Sequence, residues 1–267
     1  MSTTPRIGSD FRLGSVLGFE VRIDFSWFVI FFLVFWSLAA GVFPAEYPEL
    51  SPATHSSMGL AGTLLFFASL LIHELSHALV SRRKGVPVAG ITLFVFGGIA
   101  RTEREPDTPR DEMLIAGIGP VTSLALAALF FTLARLGEAL GLGPAGVGVA
   151  RYLAMINTAL AVFNIMPGFP LDGGRVFRAI VWRITGDRTR ATRMATDGGR
   201  IFGLILIVLG ALQALGGAPV SGLWMVFIGW FLRTIAGASL RQHVLEDVMA
   251  GFVASDMMTP EPVTVDA

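Results

Sequence analysis

Two histidines one helical turn apart are the residues of this sequence best suited to chemistry. The segment His73-Glu74-Leu75-Ser76-His77 places imidazoles at positions i and i+4, which share one face of a helix. Both imidazoles can therefore coordinate one divalent cation. Glu74 is rotated by about 100° from His73, so its carboxylate can act as a base beside the open position of the cation without being a ligand.

A third ligand is needed, because zinc in hydrolases usually has three protein ligands and a water. Asp172 is the best candidate. It follows residues 166–171, where two prolines and a glycine must break the preceding apolar helix. Such a break is tolerated at membrane depth only where it is buried in protein or lines a wet cavity. Most other acidic residues lie in loops rich in arginine, or on the side of the membrane-spanning segments away from these loops.

The histidine pair is expected to lie inside a membrane. It follows an unbroken apolar run, residues 60–72, and His73 precedes Arg82 by nine residues. At 1.5 Å per residue, this spacing places His73 roughly 13 Å from the membrane border. Ionisable residues at that depth are costly and are usually functional.

The elements that must position these residues are apolar segments of about 20 residues, the length of a transmembrane helix. We predict six spans, near residues 24–44, 58–80, 113–136, 147–166, 201–217 and 219–232, the last of which reaches residue 240 if Arg233 snorkels. The last two are the least regular, and a membrane-embedded hairpin that does not fully cross is the alternative for them. Two further segments, 15–24 and 90–102, have the residue pattern of strands. We therefore expect an all-α membrane protein with about six transmembrane helices and a small membrane-edge β-sheet. The core would comprise residues 1–245, followed by a cytoplasmic tail at 246–267.

Composition and charge agree with this layout. Hydrophobic residues make up 53% of the chain and charged residues 15%, against roughly 25% charged in soluble domains. The net charge of zero gives no electrostatic footprint for nucleic acid, and the absence of cysteine excludes thiolate metal sites. With both termini cytoplasmic, 18 of the 20 basic residues fall on the cytoplasmic side, as expected for a multi-pass protein of the cell membrane.

Several other residues are interpreted as structural. Gly117 and Gly119 fit close helix packing. His55 and His243 are interpreted as solvated. The seven arginines between positions 175 and 200 are interpreted as determinants of membrane topology.

Two motifs together resemble the site-2 protease family of intramembrane zinc metalloproteases. They are the H-E-L-S-H segment in an apolar helix and F-N-I-M-P-G-F-P-L-D-G-G at residues 163–174. The resemblance implies that His73, His77 and Asp172 bind Zn²⁺ and that Glu74 is the general acid and base. It also implies that Asn164 donates a hydrogen bond to the substrate or to the developing oxyanion.

The segment after the histidine helix is similar to the membrane-edge strand of that family. Within it we predict that Val95, Gly97, Gly98 and Ile99 contact the substrate. A substrate segment that has been unwound could add as a strand here, and the glycines would permit close backbone approach. A plain structural hairpin is the alternative.

The end of the sequence, residues 254–265, is similar to the opening of a CBS domain. It points to the CBS-bearing prokaryotic subgroup and, through such a domain, to a possible homodimer.

The function expected is a zinc-dependent intramembrane endopeptidase. It would cleave membrane-embedded or membrane-associated regulatory proteins near the cytoplasmic side, in regulated intramembrane proteolysis. An anti-sigma factor and a membrane-tethered transcription factor would both fit as substrates. A metal-ion transporter with an intramembrane histidine and aspartate site is the alternative, although predicted spans one, three, five and six contain no further ligands along a path. A non-catalytic membrane scaffold with a relict metal site is a third interpretation.

Overall fold

The computed structural model describes residues 10–249 except residues 96 and 103. Within this part of the chain, six helical segments are long and apolar enough to cross a membrane. The helices are α1 (Phe25–Ser37), which continues through a π-helical turn (Leu38–Val42) into α2 (Phe43–Glu46), then α3 (Pro52–Arg83), α4 (Pro109–Ala139), α5 (Pro144–Ile165), α6 (Asp172–Thr185), α7 (Arg188–Leu215) and α8 (Pro219–Met249). All but α6 contribute to the six spans, which confirms the predicted number.

The helix that carries the two histidines, α3, and the helix that contacts them, α4, begin with the same signal. Ser51 caps α3 by accepting a hydrogen bond from the backbone amide of Thr54, and Thr108 caps α4 in the same way. A proline follows each cap, at the position where its missing N–H costs nothing. The 32 residues of α3 extend roughly 48 Å at 1.5 Å per residue, which exceeds the ~30 Å hydrocarbon core of a bilayer.

A four-stranded sheet packs against the second half of α3. Its strands are β1 (Asp10–Val16), β2 (Phe19–Asp24), β3 (Val88–Phe94) and β4 (Gly97–Thr102), in that spatial order. Only the central pair, β2 and β3, is parallel. The sequence-based strand at 15–24 was therefore wrong in part, because it covers a hairpin whose turn has positive φ at Leu17 and Gly18.

Helix α3 uses two faces for different purposes. Leu75 and Ala78 are buried against Phe19, Ile91 and other apolar residues of the sheet. His73 and His77 lie on another face and contact α4. The sheet therefore holds α3 in an orientation that directs both imidazoles into the helix bundle.

Helix α6 was not predicted, because its 14 residues were taken as part of a basic loop. It is strongly amphipathic, and Arg178 on its inner face is buried and paired with Glu112 of α4. Arg178 therefore has a structural contact that its interpretation as a topology determinant did not include.

Candidate metal centre

Three electron-pair donors converge between α3 and the start of α6. Nε2 of His73, Nε2 of His77 and Oδ2 of Asp172 form a triangle in which each edge measures 3.2 Å. Both imidazoles are buried and Asp172 is nearly so. The structure thus brings together two segments that are 95 residues apart in the sequence.

The dimensions of this triangle fit a zinc ion. In a tetrahedral centre with bonds of ~2.0 Å, neighbouring donor atoms lie about 3.3 Å apart. Two imidazoles and a carboxylate are also a known donor set of catalytic zinc, which keeps its fourth position open. Lone pairs directed at one point repel each other unless a cation lies between them, so the residues present fit the metal.

Hydrogen bonds to α4 orient the two imidazoles. Nδ1 of His77 donates to the backbone carbonyl of Ile115 at 2.6 Å. Because a carbonyl only accepts, Nδ1 carries the proton and Nε2 presents a lone pair. Nδ1 of His73 lies 2.8 Å from the hydroxyl of Ser123.

Gly119 leaves space beside both Nε2 atoms. A Cβ atom at this position would lie 2.2 Å from Nε2 of His77 and 2.6 Å from Nε2 of His73. Any larger residue would therefore fill the space against the donor atoms. Gly119 allows close packing, as predicted, but the groups that pack against it are the imidazoles of the metal centre.

The chain break after α5 carries Asp172 to the histidines. Helix α5 ends at Ile165, and α6 begins at Asp172 itself. Gly173 allows the start of α6 to lie close to the end of α5, because a Cβ at this position would lie 2.1 Å from the carbonyl oxygen of Ile165. The amide of Phe169 donates to the carbonyl of Ala195 at 3.0 Å, which anchors the break to α7.

Glu74 is positioned between the ligand helix and the sheet. A Cβ on Gly98 would lie 2.4 Å from Cγ and 3.3 Å from Oε1 of Glu74. The carboxylate therefore packs directly against the backbone of β4. In the described sheet, β4 pairs with β3 and forms one edge. Glu74 therefore lies next to an edge strand.

The remaining predicted site residues lie nearby in the chain but make other contacts. The side-chain amide of Asn164, in the last turn of α5, donates to the carbonyl of Leu160 at 3.1 Å. Val95 lies in the turn before β4, and its amide donates to the hydroxyl of Ser26 at 3.2 Å. Gly97 and Ile99 lie on β4, opposite Phe94 and Thr92 of β3.

Sequence reasoning did not identify Ser123 or the Ile115 carbonyl as partners of the histidines. Their spacing from Gly119, four residues on either side, is the signal that was available. The prediction that His55 is solvated was wrong, since this residue is buried and its Nε2 lies 2.9 Å from the carbonyl of Tyr47. The side chain of His243 and residues 254–265, with the CBS-like segment, lie outside the described part of the structure.

Comparison with known proteins identifies the family. The model of peptidase family M50 matches residues 61–143 and 145–209, which include both histidines, Glu74 and Asp172. A relative from Synechocystis sp. is 40% identical over 98% of this chain, which spans 68% of its length. "Putative zinc metalloprotease Rip3" from Mycobacterium tuberculosis is 40% identical over 94% of this chain, which spans 64% of its length.

The fold agrees with this assignment. The site-2 protease from Methanocaldococcus jannaschii superposes with a TM-score of 0.58 at 23% identity, covering 87% of this chain and 95% of that protein. That likeness establishes the arrangement of helices and sheet, while the family match covers the residues of the metal centre. This chain therefore belongs to peptidase family M50, as a zinc metalloprotease of the site-2 type.

Proposed function

We propose that this protein is an intramembrane endopeptidase that cleaves membrane-embedded or membrane-associated regulatory proteins near the cytoplasmic side of the membrane. The observation that carries the proposal is the donor triangle of His73, His77 and Asp172 with Glu74 adjacent in sequence to His73. The carboxylate of Glu74 is not one of the three donors, so it is available for proton transfer.

Each residue has a definite task in this reaction. When bound by the three donors, zinc supplies Lewis acidity that polarises the scissile carbonyl and acidifies water. Glu74 accepts the proton of the attacking water and then donates it to the leaving amine. Asn164 has a second amide N–H beyond the one directed at Leu160, and we propose that it donates to the developing oxyanion.

Strand addition at β4 is the proposed mode of substrate binding. A transmembrane helix hides its amides in internal hydrogen bonds, so a substrate must unwind before attack. Three observations support β4 as the acceptor: it is an edge strand, its glycines permit close approach, and Gly98 contacts Glu74. Because amides alternate in direction along a strand, one of Ile99 and Ala100 directs its N–H away from β3. Proline at that position should impair cleavage and proline at the other should disturb the sheet, whereas unchanged turnover in both would refute strand addition.

The depth of the site and the distribution of charge support release of a fragment to the cytoplasm. His73 precedes the end of α3 at Arg83 by ten residues, and α3 ends in basic residues, which favour the cytoplasmic side. We therefore propose that both termini are cytoplasmic and that the protein lies in the cell membrane. An anti-sigma factor or a membrane-tethered transcription factor is the class of substrate proposed. A CBS domain and a homodimer formed through it remain predictions.

The test compares the wild type with Glu74→Gln. Zinc is measured in both purified proteins, and new protein termini are mapped by mass spectrometry in membranes of cells that express either one. Endopeptidase function predicts one zinc per chain in both proteins and new termini at membrane borders in the wild type only. Glu46→Gln is the matched control, because Glu46 is exposed at the opposite end of the first span, and it should cleave normally. A metal-ion transporter predicts zinc flux into vesicles that survives Glu74→Gln and no new termini, which would refute the proposal.

A further inference from the structure

Helix α6 carries a second buried charged residue besides the metal ligand at its start. The side chain of Arg178 is 5% exposed, although arginine is rarely buried without a partner. Its Nε donates to Oε1 of Glu112 at 2.6 Å, and one terminal nitrogen contacts the same oxygen. The other terminal nitrogen donates to Glu105 at 3.3 Å. Glu112 is completely buried, so the pair is removed from solvent.

One face of α4 joins this ion pair to the histidines. Glu112, Ile115, Gly119 and Ser123 follow one another at intervals of three or four residues, so they lie on the same side of the helix. Glu112 binds α6 through Arg178, whereas Ile115 and Ser123 bind the two imidazoles of α3. The same surface therefore sets the position of both segments that supply metal ligands.

The carboxylate of Asp172 has fewer orienting contacts than the two imidazoles, which each have a partner on α4. Among the described residues, the polar contacts of its carboxylate are those with the Nε2 atoms of His73 and His77, with no separate donor that would orient it. Its position must therefore follow from the packing of α6. Arg178 contributes to that packing twice, because its guanidinium also lies 5.1 Å from the ring centre of Phe169, in the break that precedes Asp172.

We propose that Arg178 is a positioning residue for the metal centre. Its ion pair with Glu112 fixes α6 on α4 and so holds the carboxylate of Asp172 at coordinating distance from the histidines. The planar guanidinium matters as well as the charge, since two of its nitrogens contact the same carboxylate oxygen while a third reaches Glu105. This inference rests on the proposed function only in requiring that the three donors bind zinc.

The experiment uses the full chain in detergent and measures metal binding directly. In the double variant Arg178→Met/Glu112→Leu both charges are removed, which avoids leaving one buried charge unpaired. Zinc affinity is measured by competition with a chromophoric chelator, and Co²⁺ absorption reports the coordination geometry. Because ligand distances tolerate deviations of only about 0.2 Å, we expect a displaced Asp172 to lower zinc affinity by on the order of 10-fold. The Co²⁺ bands should weaken as water replaces Asp172, while helical content is retained.

The chain offers a control of matched residue types. Arg151 of α5 donates to Glu138 of α4 through two nitrogens, at 2.9 and 2.6 Å, near the other end of α4. Arg151→Met/Glu138→Leu should leave zinc affinity and the Co²⁺ spectrum unchanged. If it weakens zinc binding as much as the Arg178 pair does, the effect is general loosening of the bundle and the proposal is wrong.

A conservative variant decides the matter if the first double variant does not fold. Arg178→Lys keeps the charge and loses the planar fork, so it should fold, bind zinc several-fold more weakly and alter the Co²⁺ spectrum. A wild-type spectrum and affinity in a folded Arg178→Lys protein, or in the double variant, would overturn the proposal. A wild-type protein that binds zinc but cleaves nothing would refute the proposed function and leave this inference standing.

Discussion

Gly119 gives the sharpest test of the metal centre, because replacing it by alanine adds one methyl group against both coordinating nitrogens. The new Cβ would lie 2.2 Å from Nε2 of His77, whereas ordinary van der Waals contact begins near 3.4 Å. The imidazole would therefore have to move by about 1.2 Å, the difference between these distances. Metal–ligand distances tolerate deviations of only about 0.2 Å.

Retreat of the ring is restricted by its other nitrogen. Nδ1 of His77 is held 2.6 Å from the carbonyl of Ile115, on the same helix as Gly119. Movement sufficient to relieve the clash breaks this hydrogen bond or displaces α3 from α4. Since losing an outer partner alone weakens a metal site by about 10- to 100-fold, displacing the ligand itself should weaken zinc binding by more than ~100-fold, or roughly 2.8 kcal/mol.

The assay is a zinc titration of chelator-treated protein against a competing chromophoric chelator, with circular dichroism as a check on folding. Gly117→Ala is the matched control. It changes the same helix by the same methyl group, but a Cβ at Gly117 meets no neighbouring segment within 4 Å. This variant should bind zinc normally and be as stable as the wild type or up to about 1 kcal/mol more stable, because alanine favours a helix. Zinc affinity of Gly119→Ala within threefold of wild type would refute the proposed geometry.

Two further predictions concern the surroundings of the site, and a third concerns a separate part of the helix core. Ser123→Ala removes the hydrogen-bonding partner of His73. It should weaken zinc binding about 10- to 100-fold in the same titration. Unchanged affinity would show that Ser123 does not orient the ring. Gly98→Ala places a Cβ 2.4 Å from Cγ of Glu74. The variant should retain zinc but lower kcat by on the order of 100-fold, because the carboxylate of Glu74 is displaced. A normal kcat on a substrate that the wild type cleaves would contradict this prediction. Phe43→Ala empties a site that is 0% exposed and should cost about 3 kcal/mol or more in denaturant unfolding, whereas Trp36→Ala, at a side chain 72% exposed, should cost little.

The sequence was informative where one local pattern determines the chemistry. The i, i+4 histidines had to share a face of α3, and prolines 167 and 170 had to end the preceding helix, so the two halves of the site were recognisable. The partner of His77 could not be recognised from residue type, because Ile115 contributes a backbone carbonyl, which leaves no trace in side-chain type. The spacing of Ser123 from Gly119 gave only a weak signal for the partner of His73.

The misassigned elements have a similar physical cause. The hairpin of β1 and β2 turns at Leu17, a residue that rarely adopts positive φ, so the pattern suggested one continuous strand. The charge of Arg178 suggested a determinant of membrane topology, and only its partner Glu112, 66 positions away in the sequence, makes burial of that charge possible. Long-range pairing of this kind is determined by tertiary packing and not by local composition.

Anomalous X-ray scattering at the zinc edge, from crystals of the metal-loaded full chain, tests the central claim most directly. The three donors predict a single strong peak, with Nε2 of His73, Nε2 of His77 and a carboxylate oxygen of Asp172 each about 2.0–2.2 Å away. A zinc peak bound elsewhere, or a peak at the histidines with Asp172 directed away from it, would contradict the account.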